Sequence, residues 1–154
     1  MANILIVDDA KFNRTLLNRG LSKAGHKIVE AVNGFEAEKI LEIQHKSIDL
    51  VICDISMPEQ DGIVTLEHIR KRFGDIPVVM LTAFSDKENV LKCAKLGISG
   101  FLVKPFDIKR VRSKIMEILG DTSSVSEKSD EKSNQDESTK NVSDDSSTDT
   151  PSDE

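Results

Sequence analysis

The chain has 154 residues and a net charge of -6, and it contains no run of the ~18 apolar residues that would be needed to cross a membrane. Its N-terminus has neither the basic start nor the cleavage site of a signal peptide. The two cysteines, Cys53 and Cys93, lie far apart in apolar patterns, which is typical of buried free thiols rather than of a disulfide. We therefore expect a cytoplasmic protein.

The first half of the chain predicts two strands, each followed by a helix. The first strand covers 3–8, and the first helix is indicated by apolar residues at helical spacing that end before Gly25, namely Phe12, Leu16, Leu17, Leu21 and Ala24. A shorter and more polar strand at 27–32 leads to the turn Asn33-Gly34. The second helix is predicted to turn four apolar side chains inward, namely Phe35, Ala37, Ile40 and Leu41.

The second half repeats this alternation three times. The predicted strands are 48–54, 77–82 and 99–104, and the predicted helices are 62–73, 86–96 and 107–119. Strands separated by helices of this length imply right-handed βαβ units and a parallel sheet covered on both faces. The first, third, fourth and fifth strands are apolar on both faces, as expected of strands buried inside a parallel sheet. The polar second strand is therefore predicted at an edge of the sheet.

The last part of the chain, residues 121–154, differs from the rest in composition. Of these 34 residues, 14 are Ser or Thr, 11 are acidic and 3 are basic, which gives this segment a net charge of -8. Its only branched aliphatic residues are Val125 and Val142, so it cannot bury enough apolar surface to offset the entropy of ordering it. We expect a globular domain at 1–120 and a disordered acidic tail at 121–154.

Polar residues follow four of the apolar runs, at the point where each predicted strand ends. These residues are Asp8 and Asp9, Asp54, Thr82 and Lys104. In open α/β sheets, ligands bind beyond the carboxyl ends of the strands, so these side chains are expected to meet at one edge. The pattern predicts an acidic site for a metal and a phosphoryl group.

The chemistry of this set suits phosphoryl transfer. Converging carboxylates repel each other and recruit a cation, and carboxylates with room for water suit Mg²⁺. The cation would let a phosphoryl dianion approach an aspartate, which could attack it and form an aspartyl phosphate. Lys104 and Thr82 could then bind phosphoryl oxygens. Each residue taken alone has a simpler reading, such as a helix cap or a surface charge, and only the combination favours a site.

The chain resembles the receiver domain of two-component response regulators over about residues 1–120. Four motifs carry this resemblance, and their order and spacing are specific to that family. They are Ile6-Val7-Asp8-Asp9, the segment from Asp54 to Gly62, Leu81-Thr82-Ala83, and Phe101-Leu102-Val103-Lys104-Pro105-Phe106. The resemblance implies a flavodoxin-like (βα)5 doubly wound sheet with strand order 2-1-3-4-5, a fold that the chemotaxis member of the family exemplifies.

The resemblance also implies a role for each site residue. Asp54 would accept phosphoryl from a phosphohistidine of a histidine kinase, and Mg²⁺ would be held by Asp8, Asp9, Asp54 and the backbone carbonyl of Ser56. Thr82 and Lys104 would bind the phosphoryl oxygens. Phe101 would be the aromatic switch that moves inward when Thr82 moves, although it could also be plain core. The peptide bond before Pro105 would be cis. Ser56 and Phe84 occupy variable positions, which leaves the lifetime of the phosphorylated state open.

The resemblance implies signalling by protein–protein binding rather than enzymatic turnover on other substrates. The output surface would be formed by the fourth helix, the fifth strand and the fifth helix. Basic residues in this part of the chain predict an acidic partner, although the acidic tail of the protein itself could also bind them. They are Lys87, Lys92, Lys95, Lys109, Arg110, Arg112 and Lys114. Neither a DNA-binding module nor a membrane anchor is expected. The pathway could be chemotaxis or another phosphorelay, with the protein acting as a carrier or an adaptor.

A true hydrolase is the remaining alternative. Phosphatases similar to haloacid dehalogenases also combine an Asp nucleophile, a Ser or Thr, a Lys and an acidic pair on Mg²⁺. In that family the nucleophile precedes the acidic pair, whereas here Asp8 and Asp9 come first. Those enzymes also place a general acid two residues after the nucleophile, where this chain has Ser56, which cannot donate a proton as a tuned carboxyl group can.

Overall fold

Five parallel strands form one sheet in the order β2-β1-β3-β4-β5, which confirms the predicted flavodoxin-like topology. The structure is a computed structural model that describes residues 1–57, 59–83 and 86–120. The strands are β1 (Asn3–Val7), β2 (Lys27–Ala31), β3 (Leu50–Asp54), β4 (Val78–Ala83) and β5 (Gly100–Lys104). The predicted disordered tail, 121–154, lies outside the described residues.

Five α-helices connect and follow these strands. They are α1 (Lys11–Lys23), α2 (Gly34–Gln44), α3 (Gly62–Phe73), α4 (Lys87–Leu96) and α5 (Ile108–Leu119). A short 3-10 helix, His45–Ser47, follows α2. Met1–Ile118 form one compact unit. Among the described residues, no helix has both the length and the apolar composition needed to cross a bilayer.

The sheet has apolar layers on both of its faces. One layer joins side chains of the inner strands, such as Val51 and Met80, to buried residues of α2, α3 and α4. The opposite layer lies under α1 and α5. These two helices are neighbours, and Arg112 of α5 donates to the carbonyl of Gly20 in α1. Burial of the strands on both faces explains why β1, β3 and β4 are near-continuous apolar runs.

The two edge strands are less buried than the inner ones. The polar β2 lies at one edge, as predicted, and β5 lies at the other. The expectation that the fifth strand is buried on both faces is wrong, because Phe101 is 44% exposed and Val103 is 39% exposed. Both residues line an apolar cleft of about 450 Å³ beside α4, so this face of the edge strand is not covered by a helix.

Some residues of the predicted apolar helix patterns are also exposed. Leu16 is 38% exposed and Ala24, which follows α1, is exposed. Phe12 and Phe35 are exposed as well, and they occupy equivalent places. Phe12 is 72% exposed and Phe35 is 53% exposed. Each is the second residue of its helix, α1 or α2. These helices begin beyond the carboxyl ends of the strands, so their first turns have no sheet beneath them. Helical spacing predicts which residues share a face, but it does not predict where along the helix the sheet ends.

Candidate functional site

The parallel sheet brings the predicted site residues to one edge. Asp54 ends β3, Lys104 ends β5, and Thr82 lies next to the last residue of β4. Asp8 follows β1 directly, and its backbone N–H still donates to the carbonyl of Ala31 on β2. The in-register pairing of these strands therefore aligns residues that are up to 96 positions apart in the sequence.

Three carboxylates form a cluster at this edge. One oxygen each from Asp8, Asp9 and Asp54 lies within 4.8 Å of the others. Asp8 is fully buried and Asp54 is 3% exposed, whereas Asp9 is exposed. Two buried carboxylates with an exposed third leave a site that is negative at its base and open to water on one side. This donor set fits Mg²⁺, which prefers a few carboxylates and keeps several waters.

Asp8 is held by the first turn of α1. Its Oδ1 accepts from the backbone N–H of Ala10 at 2.8 Å, and its Oδ2 accepts from Nδ2 of Asn13 at 3.2 Å. Arg14 donates to the Asp8 carbonyl at 2.8 Å and also pairs with Glu30 on β2. Neither Asn13 nor Arg14 was predicted from the sequence as part of the site. The available signal was their place in the first helical turn after the acidic pair.

Asp54 combines burial with one close cation. Its Oδ1 lies 2.9 Å from Nζ of Lys104 and accepts the backbone N–H of Ser56 at 3.2 Å. Burial raises the pKa of Asp54 above its ordinary value, the hydrogen bond from Lys104 opposes this shift, and the negative charge of Asp8 adds to it. The ionised Asp54 is thus only partly compensated by Lys104.

The segment after Asp54 packs tightly against it. The N–H of Gly62, the first residue of α3, donates to the carbonyl of Ile55 at 2.7 Å. A Cβ at Gly62 would lie 2.1 Å from the backbone oxygen of Asp54, so only glycine fits there. Asp61 caps α3 by accepting from the N–H groups of Ile63 and Val64.

The predicted switch residues, Thr82 and Phe101, lie on the neighbouring strands β4 and β5. Thr82 is 2% exposed, and its hydroxyl donates to the carbonyl of Ala83 at 3.2 Å. Phe101 points into the cleft beside α4, together with Val90 and Leu91. The Lys104–Pro105 peptide bond is cis, as the resemblance implied. The variable position Phe84 lies outside the described residues.

Comparison with known proteins decides the family. The sequence model of the family described as "response regulator receiver domain" matches residues 4–116. The chain belongs to this family. It is a receiver domain of the kind used in two-component systems, and the opening expectations on family and fold are confirmed.

Curated relatives include both larger regulators and stand-alone proteins. The transcriptional regulatory protein ZraR of Salmonella typhimurium is 35% identical over 120 residues, which are 78% of this chain and 27% of that protein. The chain spans between about a quarter and a half of the length of the transcriptional regulators it matches. A chemotaxis protein CheY homolog of Campylobacter jejuni is 31% identical over 76% of this chain and 92% of that protein.

Solved structures give the same fold. A chain in the CheX-CheY-BeF3-Mg complex from Borrelia burgdorferi has a TM-score of 0.73 and 33% identity, over 77% of this receiver and 89% of that chain. The chemotaxis protein CheY4 of Vibrio cholerae has a TM-score of 0.72 and 28% identity, over 77% and 98%.

The raised pKa of Asp54 predicts a pH dependence of stability. The folded protein holds the Asp54 proton more tightly than the unfolded chain does. Its free energy of unfolding therefore falls as the pH rises from the ordinary carboxyl pKa, about 4, through the raised pKa. Asp54→Asn cannot ionise, so its stability relative to wild type should increase across that window when divalent cations are absent. Urea unfolding measures this, followed by far-UV circular dichroism because the chain has no Trp or Tyr. A difference between the two proteins that does not change with pH would contradict the assignment.

Proposed function

We propose that this receiver domain is switched on when Asp54 accepts a phosphoryl group from a histidine kinase, and that it then signals by binding another protein. The observation that carries this proposal is the environment of Asp54. It is a buried carboxylate at a strand end, 2.9 Å from Lys104 and clustered with Asp8 and Asp9. A nucleophile, a cation for the product and a cation-binding pair thus converge on one point.

Different residues of the chain have different roles in the phosphoryl transfer step. Asp8, Asp9, Asp54 and the backbone carbonyl of Ser56 would hold Mg²⁺, which supplies positive charge that reduces the repulsion between two anions. A carboxylate oxygen of Asp54 attacks phosphorus, an oxygen–phosphorus bond forms, and the phosphorus–nitrogen bond to the donor imidazole breaks. The imidazole leaves with the bonding electron pair. Lys104 then exchanges its contact with Asp54 for a phosphoryl oxygen.

Thr82 and Phe101 respond to the negative charge of the phosphoryl group on Asp54. The Thr82 hydroxyl now satisfies a neighbouring carbonyl, and a phosphoryl oxygen on Asp54 is a stronger, charged acceptor for it. When Thr82 turns toward that oxygen, it leaves space on the α4 side of β4. Phe101 adjoins this space, because both residues line the same cleft. We propose that Phe101, now 44% exposed, moves into it.

The output surface is the one formed by α4, β5 and α5. It combines the apolar cleft with exposed basic residues, which favours a partner with an apolar anchor and acidic surroundings. Arg112 is an exception among the predicted basic residues, because it is turned toward the carbonyl of Gly20 on α1. A chemotaxis partner is supported by the likeness to CheY proteins, including one in a complex with CheX. A carrier in another phosphorelay remains the alternative.

We propose that the protein is not an enzyme acting on other substrates, and that it catalyses only its own phosphorylation and dephosphorylation. Ser56 stands where a hydrolase of this type would need a proton donor, and it supplies its backbone N–H to Asp54. A cytoplasmic location is supported by Cys53 and Cys93, which are both free and buried. Burial raises the pKa of Cys93 to about 11, so this thiol is unreactive near neutral pH.

Phosphorylation tests the proposal directly. With Mg²⁺ and acetyl phosphate, wild type should gain one acid-stable, base-labile phosphoryl group, and Asp54→Asn should gain none because it lacks the nucleophile. Asp61→Asn is the matched control, because Asn also caps helices and this residue is seven positions away. Intact-protein mass spectrometry measures the label. Equal labelling of Asp54→Asn would exclude this acceptor, and sustained turnover of p-nitrophenyl phosphate would favour the hydrolase.

Movement of Phe101 tests the switch. In protein labelled with fluorophenylalanine, the Phe101 fluorine resonance, assigned with Phe101→Leu, should shift on phosphorylation as the ring leaves the solvent-exposed cleft. Thr82→Ala should still be labelled at Asp54 but should lose most of this shift, because the hydroxyl that moves is absent. A full shift in phosphorylated Thr82→Ala would contradict the coupling of these two residues.

A further inference from the structure

A buried polar network lies beside the segment that follows Asp54. Its centre is Gln60, which is 6% exposed and belongs to the connection between β3 and α3. Nε2 of Gln60 donates to Oε2 of Glu38 at 2.7 Å and to Oγ1 of Thr65 at 2.9 Å. Thr65 is fully buried and Glu38 is 9% exposed. Gln60 thus links the loop to α2 and to α3 at once.

The partners of this network determine how the Gln60 amide is oriented. The Thr65 hydroxyl donates to the carbonyl of Asp61, so it can only accept from Gln60. Glu38 is the second acceptor for Gln60. Its carboxylate also forms hydrogen bonds with Nδ1 of His68 at 2.6 Å and with a guanidinium N–H of Arg72 at 2.9 Å. Burial alone would raise the pKa of Glu38, but the hydrogen bonds from Gln60, His68 and Arg72 together lower it. The carboxylate is therefore ionised and well satisfied.

The fold makes room for this arrangement. A Cβ at Gly34, the first residue of α2, would lie 2.1 Å from the Thr65 hydroxyl and 2.5 Å from Nε2 of Gln60. Next to Gln60, Glu59 has a left-handed backbone with a φ of 71°, and its carboxylate accepts from the side chain of Asn33. Glycine at 34 and the left-handed residue at 59 allow the loop to pack closely against α2 and to lead into α3.

The position of Gln60 relates the network to the site. The loop leaves β3 at Asp54, and the Ser56 amide returns a hydrogen bond to the Asp54 carboxylate at 3.2 Å. Met57, the next residue, is buried in the core. The far end of the loop is held by Gln60 and by Gly62 against Ile55. Ser56 is therefore held between anchors on both sides.

We propose that Gln60 is a positioning residue for the phosphoryl site, which through Glu38 and Thr65 holds the β3–α3 loop so that the Ser56 backbone stays beside Asp54. This proposal rests on the proposed function, because its consequence is the placement of a metal-binding carbonyl. Among the described residues, Gln60 forms its side-chain hydrogen bonds with Glu38 and Thr65 and not with Asp8, Asp9 or Asp54. Leaving a buried donor or acceptor of this network without its partner costs free energy. The loop is therefore favoured in the one position that satisfies all three side chains.

The experiment compares the two ends of the network. Gln60→Met keeps the length of the side chain and removes its donors, and Gln60→Asn keeps the amide but is one methylene too short to reach Glu38. Arg72→Met is the matched control, because Arg72 binds the other oxygen of Glu38 and its remaining contacts with described residues are with Glu42 and Phe73. All three variants disturb the same carboxylate, so a merely structural role would affect them alike.

Two measurements separate positioning from stability. The first is hydrogen exchange of the Ser56 amide by NMR without divalent cations, and the second is the Mg²⁺ dissociation constant by calorimetry. Both Gln60 variants should exchange faster at Ser56 and bind Mg²⁺ roughly tenfold more weakly, at the lower end of the effect of removing an outer partner of a metal site. Arg72→Met should match wild type in both.

Each outcome bears on a different claim. Wild-type values of both quantities in the Gln60 variants would overturn the positioning role, as would equal changes in Arg72→Met. If wild type itself bound no Mg²⁺, the proposed function would fail. The exchange rate at Ser56 would still decide whether Gln60 holds the loop.

Discussion

The structure depends on keeping two carboxylates, Asp8 and Asp54, out of water at one end of a parallel sheet. Two unit charges ~5 Å apart repel each other by roughly 3 kcal/mol at an effective dielectric of ~20. Lys104 supplies one positive charge at 2.9 Å from Asp54, and Asp8 receives hydrogen bonds from Ala10 and Asn13. These contacts compensate the cluster only in part, as the raised pKa of Asp54 indicates. The remaining negative charge is the feature that supports the proposed cation site.

The same constraint relates the fold to the proposed switch. Parallel strands place all their carboxyl ends at one edge of the sheet. A change in charge at Asp54 therefore alters the electrostatic potential at nearby residues on β4 and β5. Lys104 and Thr82 have contacts with Asp54 and Ala83 that a phosphoryl group would replace. Phe101 lies on the exposed face of an edge strand, where movement does not require repacking of the core. A small electrostatic event can therefore change an external surface.

The alternation of strands and helices and the site cluster could be predicted because they depend on runs of apolar residues and on the polar residues that end them, whereas the strand order came from the family resemblance. A run such as Leu50-Val51-Ile52-Cys53 identifies a buried strand, and the polar residue that ends it marks the functional edge. The exposure of Phe12 and Phe35 could not be predicted, because it depends on where each helix begins relative to the sheet.

Contacts between distant segments were equally hidden from the sequence. The pairing of Gln60 with Glu38 joins residues 22 positions apart, and no periodicity or motif indicates that two polar side chains are buried together. Asn13 was missed for a related reason, because a helix-start asparagine normally indicates a cap rather than a partner for Asp8. Patterns along the chain predict the elements, whereas tertiary packing decides which polar residues support the site.

The most direct test of the account is the effect of Mg²⁺ on stability. At a free Mg²⁺ concentration about 100 times the dissociation constant, the free energy of unfolding of wild type should rise by about 2.7 kcal/mol. Sodium chloride at the same ionic strength serves as the control for general screening. Asp8→Asn, which removes one charge of the cluster, should lose most of this increase. No Mg²⁺-specific stabilisation of wild type, or an equal increase in Asp8→Asn, would contradict the claim that the three carboxylates form a cation site.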